Sequence, residues 1–211
     1  MGYEESFTSD HLDVLREIGN IGAGHAATAL SKLLNKKIDM KVPNVNVVSF
    51  DEMMDLAGGA DNIVVTVFLR IEGEVTGSMF FVLPLEKASN FIRKMVGDES
   101  FSFSHPPYSE IGLSAMQELG NILSGSYLSS LSDFTNLNLL PSVPALSVDM
   151  VGAVIGFGLV EISQRGDHVI VINTELSEYE NEEKSELVEG QFILLPDPDS
   201  YQTLFRSLGV E

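Results

Sequence analysis

The feature that most constrains this chain is that it contains one pattern twice. Residues 13–24 read DVLREIGNIGAG and residues 114–125 read SAMQELGNILSG, with five of twelve positions identical, at an offset of 101 in a chain of 211 residues. The offset holds further on: Asn20 precedes Pro43 by 23 residues, and Asn121 precedes Pro144 by 23. Short motifs recur by chance; a recurrence that also keeps its distance to a proline is far rarer. Duplication is therefore the first premise for the fold.

Each half reads as helix, strand, helix, strand, strand, helix. Residues 9–34 place Leu12, Leu15, Ile18, Ile21, Ala26, Leu30 and Leu33 at helical spacing, with Ser9 or Asp10 as the expected cap. IDMKV alternates as a strand, DEMMDLAG is a short helix, NIVVTVFLRI and EVTGSMFFVL are strands joined through Glu72-Gly73, and LEKASNFIRKMVG is a helix ending at Gly97. The second half repeats this with a long helix over 109–134, a short strand near Asn138–Leu140, a short helix in VDMVGAVIG, strands HVIVINTEL and ELVEGQFILL, and a last helix in DSYQTLFRSLG. Tight connections between neighbouring strands predict antiparallel pairing. The expected fold is α+β: a pseudo-twofold duplicated unit whose antiparallel β-sheet carries both long motif helices on one side. It forms a single domain over 1–211, made of repeats at about 8–104 and 105–211. HPPYSE (105–110) is the expected junction, and the acidic SEYENEEKSE (177–186) an exposed, mobile hairpin loop.

Composition narrows the chemistry. There is no cysteine, which removes disulfides, thiolate metal sites and a cysteine nucleophile. The net charge of −19 argues against nucleic acid and anionic membrane as partners. No apolar run reaches the roughly 18 residues of a membrane span. The acidic start lacks the basic flank and apolar stretch of a signal peptide, and Gly2 alone does not make an acylation signal; a cytoplasmic location is expected. His11, His25, His105 and His168 do not recur as a pair at metal-ligand spacing, and no calcium-loop pattern is present, so no metal is expected in the protein itself.

The repeated motif itself is chemically specific. On a helix, Asp13, Glu17, Asn20 and Gly24 fall at about 0°, 40°, −20° and 20°. Ser114, Glu118, Asn121 and Gly125 form the same stripe in the second half. Each stripe works against its helix: glycine disfavours a helix by about 1 kcal/mol against alanine, and Asp13 and Glu17 repel at i, i+4. A single Glu-x-x-Asn is an ordinary solvated face, and glycines in a helix can serve close packing. The recurrence at equivalent places argues for function, since Glu and Asn pack poorly. Neither residue is a nucleophile or a metal cage. Together they can complete a site on another protein: an Asn amide holds a water in line with phosphorus, and a Glu grips a cation and sets the docking register.

Read with their prolines, the motifs (Asp13, Glu17, Asn20, Pro43 and Ser114, Glu118, Asn121, Pro144) resemble the CheC/CheX/FliY phosphatase family of bacterial and archaeal chemotaxis across essentially the whole chain. Two intact motifs without an added motor domain resemble its CheC-type members. The resemblance implies hydrolysis of the aspartyl phosphate of the response regulator CheY. It implies that Asn20 and Asn121 position the water, that Glu17 and Glu118 pair with a regulator lysine, and that the regulator supplies its own Mg2+, leaving this chain without a cofactor. It further implies a second partner, the receptor deamidase CheD, docked on LSVDMVGAV through Asp149 and Met150, with Asp149 imitating a substrate side chain. The ordinary reading of Asp149 is an acid stabilising a helix N-terminus. The chain is then expected to be a monomer or a one-to-one heterodimer with CheD. Two other readings stay open from the residues alone: a module that buffers phosphorylated regulator without hydrolysing it, and an acidic subunit of a larger assembly.

Overall fold

In a computed structural model, residues 8–162, 168–180 and 183–209 are described. The elements are α1 (Ser9–Leu34), β1 (Lys37–Lys41), β2 (Val45–Ser49), α2 (Phe50–Leu56), β3 (Ile63–Gly73), β4 (Gly77–Pro84) and α3 (Leu85–Val96), then α4 (Glu110–Thr135), β5 (Leu139–Pro141), β6 (Ala145–Met150), α5 (Val151–Ile162), β7 (His168–Glu180), β8 (Glu183–Pro196) and α6 (Tyr201–Ser207). The long helices fall where their periodicity puts them. α1 is capped one residue before the expected start, by Thr8, in a capping box closed by the His11 side chain. α4 is capped by Ser109, whose hydroxyl accepts from the Gly112 amide at 3.1 Å. Both end on an asparagine at the repeat offset, Asn35 and Asn136, at φ 50° and 54°. Asparagine tolerates this left-handed conformation better than most side chains.

All strand pairs are antiparallel and form one eight-stranded sheet in the order β1-β7-β8-β4-β3-β5, with β2 also on β7 and β6 also on β3. The halves therefore exchange strands. β1 and β2 of the first half pair with β7 of the second, and β5 and β6 of the second pair with β3 of the first. The centre is the β4–β8 pairing, Gly77 to Val82 against Pro196 to Gln191.

The α+β expectation, an antiparallel sheet with both long helices on one side, is met. The main core lies between the sheet and α1, α3, α4 and α6, and contains Leu15, Ile18, Met116, Leu119, Phe91, Ile92, Phe81, Phe192 and Leu204. A smaller core on the opposite face packs Met53 of α2 and Val151, Val154 and Ile155 of α5 on Val64, Phe80, Val82, Val169 and Ile193. Alternate residues of the central strands serve the two faces, so these strands are apolar almost throughout.

Three expectations need correction. β2 and β6 were not anticipated. Their five and six residues follow prolines, and their partners are far away in sequence, so nothing local announces them. Residues 148–150 end strand β6 and do not begin a helix; the helix starts at Val151. SEYENEEKSE is mostly ladder, with Ser177 paired to Leu187, Glu178 to Glu186 and Tyr179 to Lys184; only 181–182 lie outside the described residues. The polar run is held by charge. Glu178 accepts from Lys36 at 2.5 Å and Lys94 at 3.0 Å, which ties β7 to the ends of α1 and α3. Burial alone would raise the Glu178 carboxyl, but the two lysine hydrogen bonds outweigh it and leave it below its ordinary value.

The two long helices touch at a glycine. A Cβ on Gly22 would lie 3.0 Å from the Tyr127 Cα and 3.1 Å from the Ser126 carbonyl oxygen of α4. Those neighbours are backbone and cannot rotate away. Gly22→Val is expected to force the helices apart at a cost of about 1–3 kcal/mol, seen as a Tm lower by roughly 3–10 °C. A variant as stable as the parent by thermal unfolding would show that this contact does not fix the helix pair.

Candidate functional site

Helix burial decides where the motif residues go. α1 buries Leu15, Ile18, Gly19, Gly22, Ala23, Ala26 and Leu30, and α4 buries Met116, Leu119, Gly120, Leu123, Ser124 and Tyr127. These are the i, i+3, i+4, i+7 positions of a core-facing stripe. What remains on the outside is the polar stripe, together with exposed Ile21 and Leu33 of α1, which the helical spacing had put with the apolar positions, and Ile111 and Phe134 of α4. Asp13, Glu17 and Gly24 are exposed and Asn20 is half-buried; Ser114, Glu118 and Asn121 are exposed and Gly125 is half-buried. Each expected quartet is thus brought onto one helix face, and the two helices pack side by side.

The glycines separate into two kinds. Gly19 and Gly22 are packing residues: a Cβ on Gly19 would sit 3.1 Å from a Val42 methyl. Gly24 and Gly125 are different, since a Cβ on either would meet nothing within 4 Å. Among the described residues no close approach accounts for the glycines that end the stripes.

The two asparagines differ. The Asn20 side chain grips the link between β1 and β2: its Nδ2 donates to the Val42 carbonyl at 3.1 Å and to the Arg16 carbonyl at 3.0 Å, and its Oδ1 accepts from the Val42 amide at 2.9 Å. Val42, just before Pro43, is 4% exposed. Beyond it, the Asn44 carbonyl accepts from the Asn173 amide at 3.1 Å, and their side chains also pair. Among the described residues Asn121 makes no such bond. Its half holds the equivalent link through Ser142, whose amide donates to the Arg70 carbonyl and whose hydroxyl accepts from the Arg70 amide, each at 2.9 Å. Val143, the counterpart of Val42, is 89% exposed. Val42 was missed from sequence, although the fixed spacing from Asn20 to Pro43 was its trace: it sets a backbone unit against the helix.

Charge also divides the stripes. Asp13 pairs with Arg16 at 3.0 Å, which relieves the expected repulsion from Glu17. The second stripe has Ser114 and neutral Gln117 at these places. Glu17 and Glu118 have no ion pair among the described residues, so each carboxylate faces solvent. Among the described residues no group of three His, Asp or Glu side chains could hold a metal ion, and no helix is long and apolar enough to cross a membrane. A cleft of about 380 Å³ lies across the sheet by the end of α2, lined by Pro43, Asn44, Leu56, Val82 and Gln191 but not by Glu17 or Asn20. The stripes lie on exposed helix faces, outside this cleft.

Asp149 and Met150 lie elsewhere. Both are exposed at the end of β6, opposite Val64 and Ile63 of β3, and the Asp149 carboxylate accepts from the Met150 amide at 2.8 Å. They precede α5, which packs on the sheet face opposite the long helices.

Residues 11–47 and 111–148 match the CheC-like family, spans that include both stripes and both prolines. The chain is 48% identical over 200 residues to the CheY-P phosphatase CheC of Bacillus subtilis, covering 95% of this chain and 94% of that one. Its fold resembles FliY of Thermotoga maritima, at TM-score 0.72 and 24% identity over 96% of this chain and 98% of that one. It also resembles a chain of the CheX–CheY–BeF3–Mg2+ complex of Borrelia burgdorferi, at TM-score 0.50 and 18% identity over 83% and 96%. At such identities these two likenesses speak for the fold.

Open space at Gly24 has a direct consequence for stability. Gly24→Ala is expected to add about 1 kcal/mol of helix stability and to raise Tm by roughly 2–4 °C. A fall in Tm would mean that Gly24 is packed against the chain after all.

Proposed function

The chain belongs to the CheC-like family, and from that membership we propose that it hydrolyses the aspartyl phosphate of the response regulator CheY, with Glu17 and Asn20 on one helix and Glu118 and Asn121 on the other as the groups it brings to the reaction. The observation that carries this reading is the pair of outward Glu-x-x-Asn stripes, each with its carboxylate unpaired among the described residues and an unfilled glycine at its end. Such a ridge suits insertion into a partner's site better than enclosure of a small substrate.

The chemistry divides between the proteins. Phosphoryl transfer passes through a loose transition state, so alignment and charge neutralisation dominate catalysis. The Asn carboxamide can accept from an attacking water and hold it in line with phosphorus. The Glu carboxylate can pair with a lysine of the regulator and fix the register of docking. Gly24 and Gly125 let the regulator's backbone come close. The regulator supplies its own Mg2+; this chain contributes no cofactor, and the reaction takes place in the cytoplasm.

The test is phosphate release from phosphorylated CheY with and without this protein. The Asn20→Ala, Asn121→Ala double variant is expected to lose stimulated release by about a hundredfold or more, the scale expected when a reacting group is misplaced, while its fold stays intact by circular dichroism. Full activity in the double variant would remove both residues from catalysis. A wild-type protein that binds phosphorylated CheY without accelerating release would be a buffer or adaptor instead.

A receptor deamidase of the CheD type is the proposed second partner, in a one-to-one complex with an otherwise monomeric chain. Asp149 and Met150 stand exposed where β6 gives way to α5, and the first half has Val48 and Ser49 at the matching places. A surface unique to one half suits a partner bound once per chain. Asp149→Lys is expected to weaken this complex at least tenfold by calorimetry, as reversal of a docking charge does, while basal phosphate release stays near wild type. Undiminished binding would remove the docking assignment.

A further inference from the structure

Duplication gives this chain an internal control, since the same motif stands twice in one molecule with different surroundings. We infer that the second stripe, Glu118 and Asn121, is the working site, and that Asn20 is mainly a clasp holding the β1–β2 link to α1. The inference rests on the phosphatase reading above and says which half carries it.

Two observations agree. The first is the occupancy of the carboxamide. A water-positioning amide needs its oxygen free to accept from water. In Asn20 that oxygen already accepts from the Val42 amide at 2.9 Å, and its Nδ2 protons go to the carbonyls of Val42 and Arg16. Using Asn20 on a water means leaving the Val42 amide without that partner, and unpaired buried groups are costly. The Asn121 amide is exposed and makes no hydrogen bond among the described residues.

The second is the packing behind the clasp. Val42 is buried against Gly19, and the link is fixed from the other side by Asn173, so freeing Asn20 disturbs an anchored segment. The counterpart Val143 is exposed, and its link is secured through Ser142 and Arg70, with no hydrogen bond from α4 to it among the described residues.

The roles separate in a comparison of the two single variants. Asn121→Ala should lower stimulated phosphate release at least fivefold more than Asn20→Ala does. Asn20→Ala should lower Tm by roughly 2–6 °C, the shift expected for losing buried hydrogen bonds, while Asn121→Ala leaves Tm within about 1 °C. Amide hydrogen exchange on the wild-type protein tests the clasp without any variant: the Val42 amide should be protected and the Val143 amide should exchange freely. Equal losses of release from the two variants, or a larger loss from Asn20→Ala, would overturn the inference, and so would rapid exchange at Val42. A wild-type protein that releases no phosphate would end the phosphatase reading, while exchange at Val42 would still decide the clasp.

Discussion

The contact of α1 with α4 at Gly22 governs the rest of the molecule. Two 26-residue helices can lie this close only because Gly22 has no side chain to hold them off the backbone at Ser126 and Tyr127. Once they are in contact, most of their apolar positions are committed to each other and to the sheet. The outward positions are then fixed by helix geometry, and both stripes become rigid features of the scaffold. A group placed on a packed helix is held more accurately than one on a loop, which suits residues whose proposed work is alignment.

The protein's share of the proposed chemistry is small: one carboxamide and one carboxylate per site, with no nucleophile and no metal. That economy explains why the fold can carry it on an open face. Nothing needs enclosure until the partner arrives with the phosphoryl group. The stripes also show how a duplicated unit can drift while its framework persists. Every buried position of α1 has a buried counterpart in α4 at the offset of 101, yet among the described residues one asparagine holds backbone and the other does not.

Much of this was legible in the sequence because the signal was periodic and doubled. The long helices, the stripes and the two central hairpins follow from spacing alone. What was hidden depended on distant residues. β2 and β6 are short runs after a proline and gain their identity from β7 and β3, on the other half of the chain. Ser177 to Tyr179 look like loop because they are polar, but Glu178 finds Lys36 and Lys94, 142 and 84 residues away. Asp149 was placed in a helix because VDMVGAVIG is helix-like in composition, but edge pairing with Val64 extends the strand through Met150. The split between packing glycines and open glycines also needed the fold, since all of them look alike in the motif.

Strand exchange between the halves has a consequence for how the molecule comes into being. β3 and β4 can pair as soon as both leave the ribosome. β1 and β2 cannot, because their partner begins at His168. At about 5–20 residues per second, the 119 residues from Ser49 to His168 take roughly 6–24 s to make. During that interval the nascent first half carries two unpaired strands, a standing invitation to pair with a neighbouring chain. Both are only five residues long, and β1 has a charged residue at every second position, Lys37, Asp39 and Lys41. Short length and charge at an edge are the means by which natural strands resist such pairing. The same five residues that close the finished sheet thus guard the chain while it is incomplete.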